Sequence, residues 1–187
     1  MNMTRKSSPH RPTLPRDNLG AMDAMLAQLV AGGRRRIVHI AGPMGNVDAR
    51  ERVEGFRAAM ARHAPEVEPV VLAGDFSEEG GEAAARAIRE NGITCDAVFA
   101  GNDMMAIGCL QALRNAGVDV PGEIAVAGFD DVPLARYLGI TTVRVRIAEM
   151  GARAIERLID VLEDGAVDPR AERHGAGLGV RGTTAAR

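Results

Sequence analysis

Two polar pairs carry the chemistry that this sequence of 187 residues offers: Asn102–Asp103 in AVFAGNDMMAIG and Asp130–Asp131 in AVAGFDDV. A carboxylate accepts hydrogen bonds from hydroxyls, and a primary amide both donates and accepts them. Paired carboxylates also suit acid–base catalysis or a phosphoacceptor. Those uses need a companion nucleophile–base pair, a metal triad or a phosphate loop, and the sequence shows none. The loop GPMGN lacks the GK[ST] of a phosphate loop and the GxGxxG of a dinucleotide site. Without them, the two pairs read as polar groups that line a ligand-binding cleft.

Both pairs must be held by one structural unit. Asp96–Gly101 is a short apolar run of the kind buried on both faces of a sheet. Asn102–Asp103 then turns and caps a helix over Met104–Ala116, and Gly117 ends it, since glycine takes the left-handed conformation freely. Pro121–Gly122 turns the chain into a second apolar strand that ends at Phe129-Asp130-Asp131. A helical crossover between two short strands predicts a parallel, right-handed pair. Both pairs then reach the carboxyl edge of the sheet, where open parallel sheets bind ligands.

The same unit repeats on either side. Asp17–Asn18 caps a helix over Leu19–Ala31, and Arg34-Arg35-Arg36 reads as a solvated lead into the strand RIVHIAG. Asn46 or Asp48 opens a helix with Ala49, Val53, Phe56 and Met60 at helical spacing. Arg50 and Arg52 sit near its N-terminus, where the dipole disfavours cations by ~0.3–1 kcal/mol. Either neighbours such as Asp48 and Glu51 offset this, or a ligand does. Phe76 follows the strand VEPVVLAG and precedes a helix opened by Ser77-Glu78-Glu79; it is either a lid over the core or a stacking platform. VPLARYLG, the strand ITTVRVR, a helix over Ile147–Leu162 and one possible edge strand near the end complete the chain. About four βα repeats predict an α/β fold with a doubly wound parallel sheet.

Apolar residues make up 46% and charged residues 26% of the chain, so a packed core is expected. A net charge of −2 argues against this chain alone gripping nucleic acid. Cys95 and Cys109 lack any CxxC or ligand spacing and read as reduced core thiols, consistent with the cytoplasm. No metal or cofactor is expected. No apolar run reaches the ~18 residues of a membrane span. Residues 1–16 have no apolar core of a secretory signal and read as a disordered lead or a truncation stump, with a single region from 17 to 187.

In DN (17–18), GGRRRIVHIAGP, ARERVEGFRAAM, GDFSEEGG, CDAVFAGNDMMAIG, ALRNAGVDVPGEIAVAGFDD, ITTVRV, MGARAIERL and the terminal VRGTT, the chain resembles the effector-binding region of LacI-family transcriptional regulators. That family shares the type I periplasmic-binding-protein fold. The resemblance implies that Arg52, Phe76, Asn102 and Asp130 contact a small-molecule effector, usually a sugar or a nucleobase-like compound, with Asp17 a further, less regular contact. It implies a cytoplasmic, non-enzymatic protein and a two-fold homodimer through Ile107 and Gln111 of the central helix with Leu134, Tyr137 and Leu138. The helix is apolar nearly all round, which points to the same interface. The family's helix-turn-helix headpiece, hinge helix and first subdomain have no counterpart in the sequence. The resemblance therefore covers mainly the second subdomain and implies a truncated chain that does not bind DNA by itself. A solute-binding protein of a sugar transport system, on the same fold, is the alternative.

Overall fold

The computed structural model describes residues 17–145, 151–152, 155, 159 and 177–185. The chain divides into two compact units. One joins Asp17–Arg146 to Gly175–Arg187 and carries every element below. The other comprises Met1–Arg16 and Ile147–His174. The lead over 1–16 lies outside the described residues, as does the helix expected over Ile147–Leu162 apart from four positions.

Among the described residues, helices α1 (Asn18–Ala31), α2 (Val47–His63), α3 (Glu78–Glu90), α4 (Asp103–Asn115) and α5 (Pro133–Tyr137) alternate with strands β1 (Ile37–Ala41), β2 (Val70–Ala73), β3 (Ala97–Ala100), β4 (Ala125–Asp130) and β5 (Thr141–Arg144). A last strand, β6 (Gly177–Gly179), precedes a 3-10 turn over Gly182–Thr184. The sheet order is β2-β1-β3-β4-β5-β6. Strands β1 to β5 run parallel and β6 pairs antiparallel with β5. The doubly wound α/β fold follows the βα repeat, and the edge strand β6 adds a reversal.

Side chains alternate across each strand, so both faces of the sheet are lined. One face packs Ile37, Phe99, Phe129 and Val143 against Met22, Leu26, Phe56 and Met60 of α1 and α2. The other packs Val38, Ile40, Val98 and Val126 against Ile88, Met105, Cys109 and Leu113 of α3 and α4. The helix caps are local in sequence. Asp17, Asn46, Ser77 and Asn102 each accept a backbone N–H from the first turn of α1, α2, α3 and α4.

Helices α3 and α4 meet backbone to backbone. A Cβ on Gly81 would stand 2.0 Å from the Met105 carbonyl oxygen, and one on Gly108 would stand 1.9 Å from that of Glu78. This contact takes up part of the apolar surface of α4 that the sequence left over. Met105, Cys109 and Leu113 are buried, while Met104 and Ile107 are half-buried and Gln111 is exposed.

Arg34 corrects the reading of the arginine run as a solvated lead. It is buried, and its guanidinium donates to the carbonyls of Pro121, Asp96, Gly122 and Glu123. The run thus ties the start of β1 to the loop before β4. Arg35 and Arg36 do remain at the surface, paired with Glu66 and Asp96.

Candidate functional site

Four of the expected site residues lie side by side at the carboxyl edge, because four adjacent strands deliver them. Arg52 stands in the second turn of α2 after β1, Phe76 follows β2, Asn102 follows β3 and Asp130 ends β4. Arg52 is 3% exposed. Its Nε donates to Asn18 Oδ1 at 3.2 Å, its Nη1 to the Gly101 carbonyl, and its Nη2 stands 3.8 Å from Asp130 Oδ1. The guanidinium lies over the ring of Phe129, with Cζ 3.7 Å from the centroid, which adds a cation–π attraction. The Asp130 side chain is 27% exposed, so the pair opens to solvent at its carboxylate end.

Fixed groups of this fold therefore balance the cation near the N-terminus of α2. Glu51 and Asp48 each accept a hydrogen bond from Asn18 Nδ2, at 2.7 and 3.0 Å. In the sequence, Asn18 reads only as part of a helix cap. It is 1% exposed and turns its amide to orient Arg52. The sequence signal for it was slight: an amide beside the true cap, Asp17.

Phe76 is half-buried, and its ring lies on the backbone of Gly42. A Cβ there would stand 2.1 Å from the ring's Cζ. The backbone of Phe76 is left-handed, with φ 72°. Asn102 bridges its neighbours: its Oδ1 caps α4 at the Met105 N–H, 3.0 Å, and its Nδ2 donates to the Phe76 carbonyl at 2.9 Å. The amide is thus chiefly a tie that holds the Phe76 loop, keeping one hydrogen and one lone pair uncommitted by these bonds. Asp17 is used as the cap of α1, accepting from Gly20 N–H at 3.0 Å.

The partners of the two pairs diverge from them. Asp103 is fully buried, where it accepts the Thr142 hydroxyl at 2.6 Å and the Val132 N–H at 2.8 Å. Burial pushes its carboxyl up to about 6 against those two bonds. Asp131 faces Arg136, Arg144 and Arg181. His39 lies beneath the site in β1, stacked on Phe56 at 5.1 Å. Its Nδ1 donates to the Phe99 carbonyl at 2.7 Å, and its Nε2 is the one buried side-chain polar atom without a partner among the described residues. Burial holds this imidazole down at about 4, so it is neutral.

Of the positions expected at an interface, Tyr137 is 88% exposed and Leu134 is also exposed, while Ile107 and Leu138 are half-buried. Gln111 bonds to Asn115 on the outer face of α4. Both cysteines are free, and burial pushes the thiols of Cys95 and Cys109 up to about 11 and about 12, so neither is a ready nucleophile. Among the described residues no cluster of three or more His, Cys, Asp or Glu could hold a metal ion, and no helix is long and apolar enough to cross a membrane.

The carboxyl edge of the sheet thus gathers one donor fork, one amide, one carboxylate and one aromatic ring. Residues 26–184 match the periplasmic binding protein-like domain family, and the chain belongs to that family. It is 40% identical over 140 residues to the ribose operon repressor of Escherichia coli, a match covering 73% of this chain and 42% of the repressor. The fold superposes on a sugar-binding LacI-family regulator from Escherichia coli complexed with phosphate, with a TM-score of 0.83, 29% identity, and 91% of this chain and 62% of the other covered. It also superposes on the regulator CelR in complex with cellobiose, with a TM-score of 0.81, 33% identity, and 89% and 52% covered. These relatives are LacI-family regulators matched across their effector-binding region. The chain spans less than half the length of the ribose operon repressor.

Proposed function

We propose that this chain forms one wall of a sugar-binding cleft in a transcriptional regulator. The observation that carries the reading is the Arg52–Asp130 pair at the carboxyl edge. The guanidinium is buried and oriented by Asn18, while the carboxylate is partly open. Such a pair presents a donor and an acceptor to adjacent hydroxyls without first paying to order them. Phe76 offers an apolar face to the C–H side of a sugar ring, Asn102 fixes the Phe76 loop and keeps one donor for the ligand, and Asp17 stands at the rim. The ribose and cellobiose named in two relatives support a sugar rather than another polyol. The regulators among the relatives support this role over transport.

The remaining functional assignments go with that reading. The protein acts in the cytoplasm, as a homodimer joined through Ile107, Gln111, Leu134, Tyr137 and Leu138. It needs no cofactor and performs no catalysis. This chain alone does not hold DNA in a sequence-selective way, since its net charge of −2 gives little counterion release.

Calorimetric titration of the chain with D-ribose, cellobiose and maltose tests the site. One sugar binds the parent, and Asp130→Ala or Arg52→Ala weakens it by about tenfold or more, the loss of a hydrogen-bonded partner at ~1–3 kcal/mol. Parent-like affinity in both variants overturns the assignment.

A further inference from the structure

In a regular strand, successive side chains point to opposite faces of the sheet. Phe129 and Asp130 break that rule at the end of β4: the ring of Phe129 lies under the Arg52 guanidinium, and the Asp130 carboxylate pairs with the same guanidinium. The backbone explains how. Asp130 has φ 113° and Asp131 has φ 61°, two consecutive residues with a Cβ in the left-handed half of conformational space. Such positions persist only where the surroundings over-determine them.

The surroundings here converge on Asp131. Arg144, at the end of β5, donates its Nε to Asp131 Oδ2 at 2.9 Å. Arg136, in α5, donates to the same oxygen at 3.3 Å. Arg181, after β6, holds Oδ1 and also donates to the Ile140 carbonyl at 2.7 Å. The Asp131 N–H donates to Thr142 Oγ1 at 3.3 Å, and that hydroxyl is itself committed to Asp103. The Asp131 side chain is 6% exposed despite its position on a turn. Desolvation opposes its charge, but the Arg181 hydrogen bond and the three guanidinium charges outweigh it and hold the carboxyl below the ordinary range.

We infer that Asp131 is the positioning residue of the binding wall: its three-arginine clamp locks the Asp130–Asp131 turn left-handed and thereby keeps the Asp130 carboxylate beside Arg52. The inference rests on the reading of Arg52 and Asp130 as the effector-binding pair. It makes Arg181, some fifty positions downstream, a part of the wall without touching the ligand. It also separates the roles of two adjacent aspartates, one facing the cleft and one facing the clamp.

The test uses the whole 187-residue chain, with Asp131→Asn, which keeps the shape and removes the charge, and Arg144→Gln, which leaves two of the three guanidiniums in place. Three readouts are taken: backbone carbon chemical shifts at residue 130, which report φ; D-ribose affinity; and thermal unfolding. Asp131→Asn loses the left-handed signature at Asp130 and binds D-ribose about tenfold more weakly. Arg144→Gln shows a smaller change in the same direction. A merely structural Asp131 would lower the melting temperature while leaving the shifts at Asp130 and the affinity unchanged, and that result overturns the inference. Should Asp131→Asn fail to fold, Arg144→Gln decides alone: unchanged shifts at Asp130 sink it. If the parent takes up none of D-ribose, cellobiose or maltose, the effector reading falls, and the chemical shifts still decide whether Asp131 sets the turn.

Discussion

The guanidinium of Arg52 lies 3.7 Å above the ring of Phe129, so a charged site residue and a core residue share one surface. The contact joins the proposed binding pair to the core. Phe129 is buried in the cluster formed with α1 and α2, and Arg52, itself buried, lies over its ring.

Arg52→Lys therefore costs more than a conservative exchange suggests. An ammonium has no planar fork, so it cannot serve Asn18, the Gly101 carbonyl and Asp130 together while stacking on the ring. The expected loss is about 2 kcal/mol of stability, alongside weakened sugar binding. Asn18→Ala loses about 1–3 kcal/mol as well, because it strips a partner from a buried guanidinium. Urea unfolding of the three proteins measures both effects, and an Asn18→Ala midpoint equal to the parent's would contradict the orienting role.

Gly108 offers a sharper structural test. A side chain there meets the Glu78 backbone at 1.9 Å, and backbone cannot move aside as a flexible side chain would. Gly108→Ala should separate α3 from α4 and destabilise the fold by about 1–3 kcal/mol or more. Gly45→Ala, with open space around it, serves as the control and should be nearly silent. Thermal melts of the two variants settle the comparison.

How much of this was legible beforehand differs by residue, for physical reasons. The strand–helix–strand unit was legible because apolar runs, caps and terminating glycines are local signals. The helix over Met104–Ala116 is displaced by one residue at each end, to Asp103–Asn115, with Asn102 as its cap. That Arg52, Phe76, Asn102 and Asp130 meet at one edge followed from βα alternation, which fixes the edge without fixing contacts. Asn18 and Arg34 were not legible, since their partners lie 34 and 87 positions away, at Arg52 and Pro121, and no local pattern announces them. The clamp on Asp131 was hidden for the same reason. Its arginines come from α5, β5 and the segment after β6, and look like ordinary surface charge in the sequence.

Self-association can be tested apart from folding. Tyr137 is 88% exposed beside the exposed Leu134, so Tyr137→Glu removes apolar surface without disturbing the core. Sedimentation should show a dimer for the parent at tens of micromolar and a dissociation constant raised by about tenfold or more in the variant. A parent that sediments as a monomer would remove the interface assignment.

In mild acid, two buried groups should make opposing contributions to the pH dependence of stability. His39 titrates at about 4 in the fold and at 6.5 unfolded, so between those values only the unfolded chain carries the proton. Its contribution falls as pH falls, by about 1.4 kcal/mol per unit and about 3 kcal/mol in all. Asp103 has the opposite sign: raised to about 6 from 3.8, it binds the proton in the fold while the unfolded carboxyl stays charged, so stability rises as pH falls through that window. From about pH 6 to 4 the two slopes cancel. Asp131, held below 3.8, adds its loss only at lower pH. Removing either opponent should expose the other. Asp103→Asn should lose stability on acidification from about pH 6 to 4, by about 3 kcal/mol relative to the parent, and His39→Phe should gain a comparable amount. Urea midpoints across that range, compared between variants so that all other carboxylates cancel, give the measurement. Parallel profiles for all three proteins would show that neither group is perturbed as its burial requires.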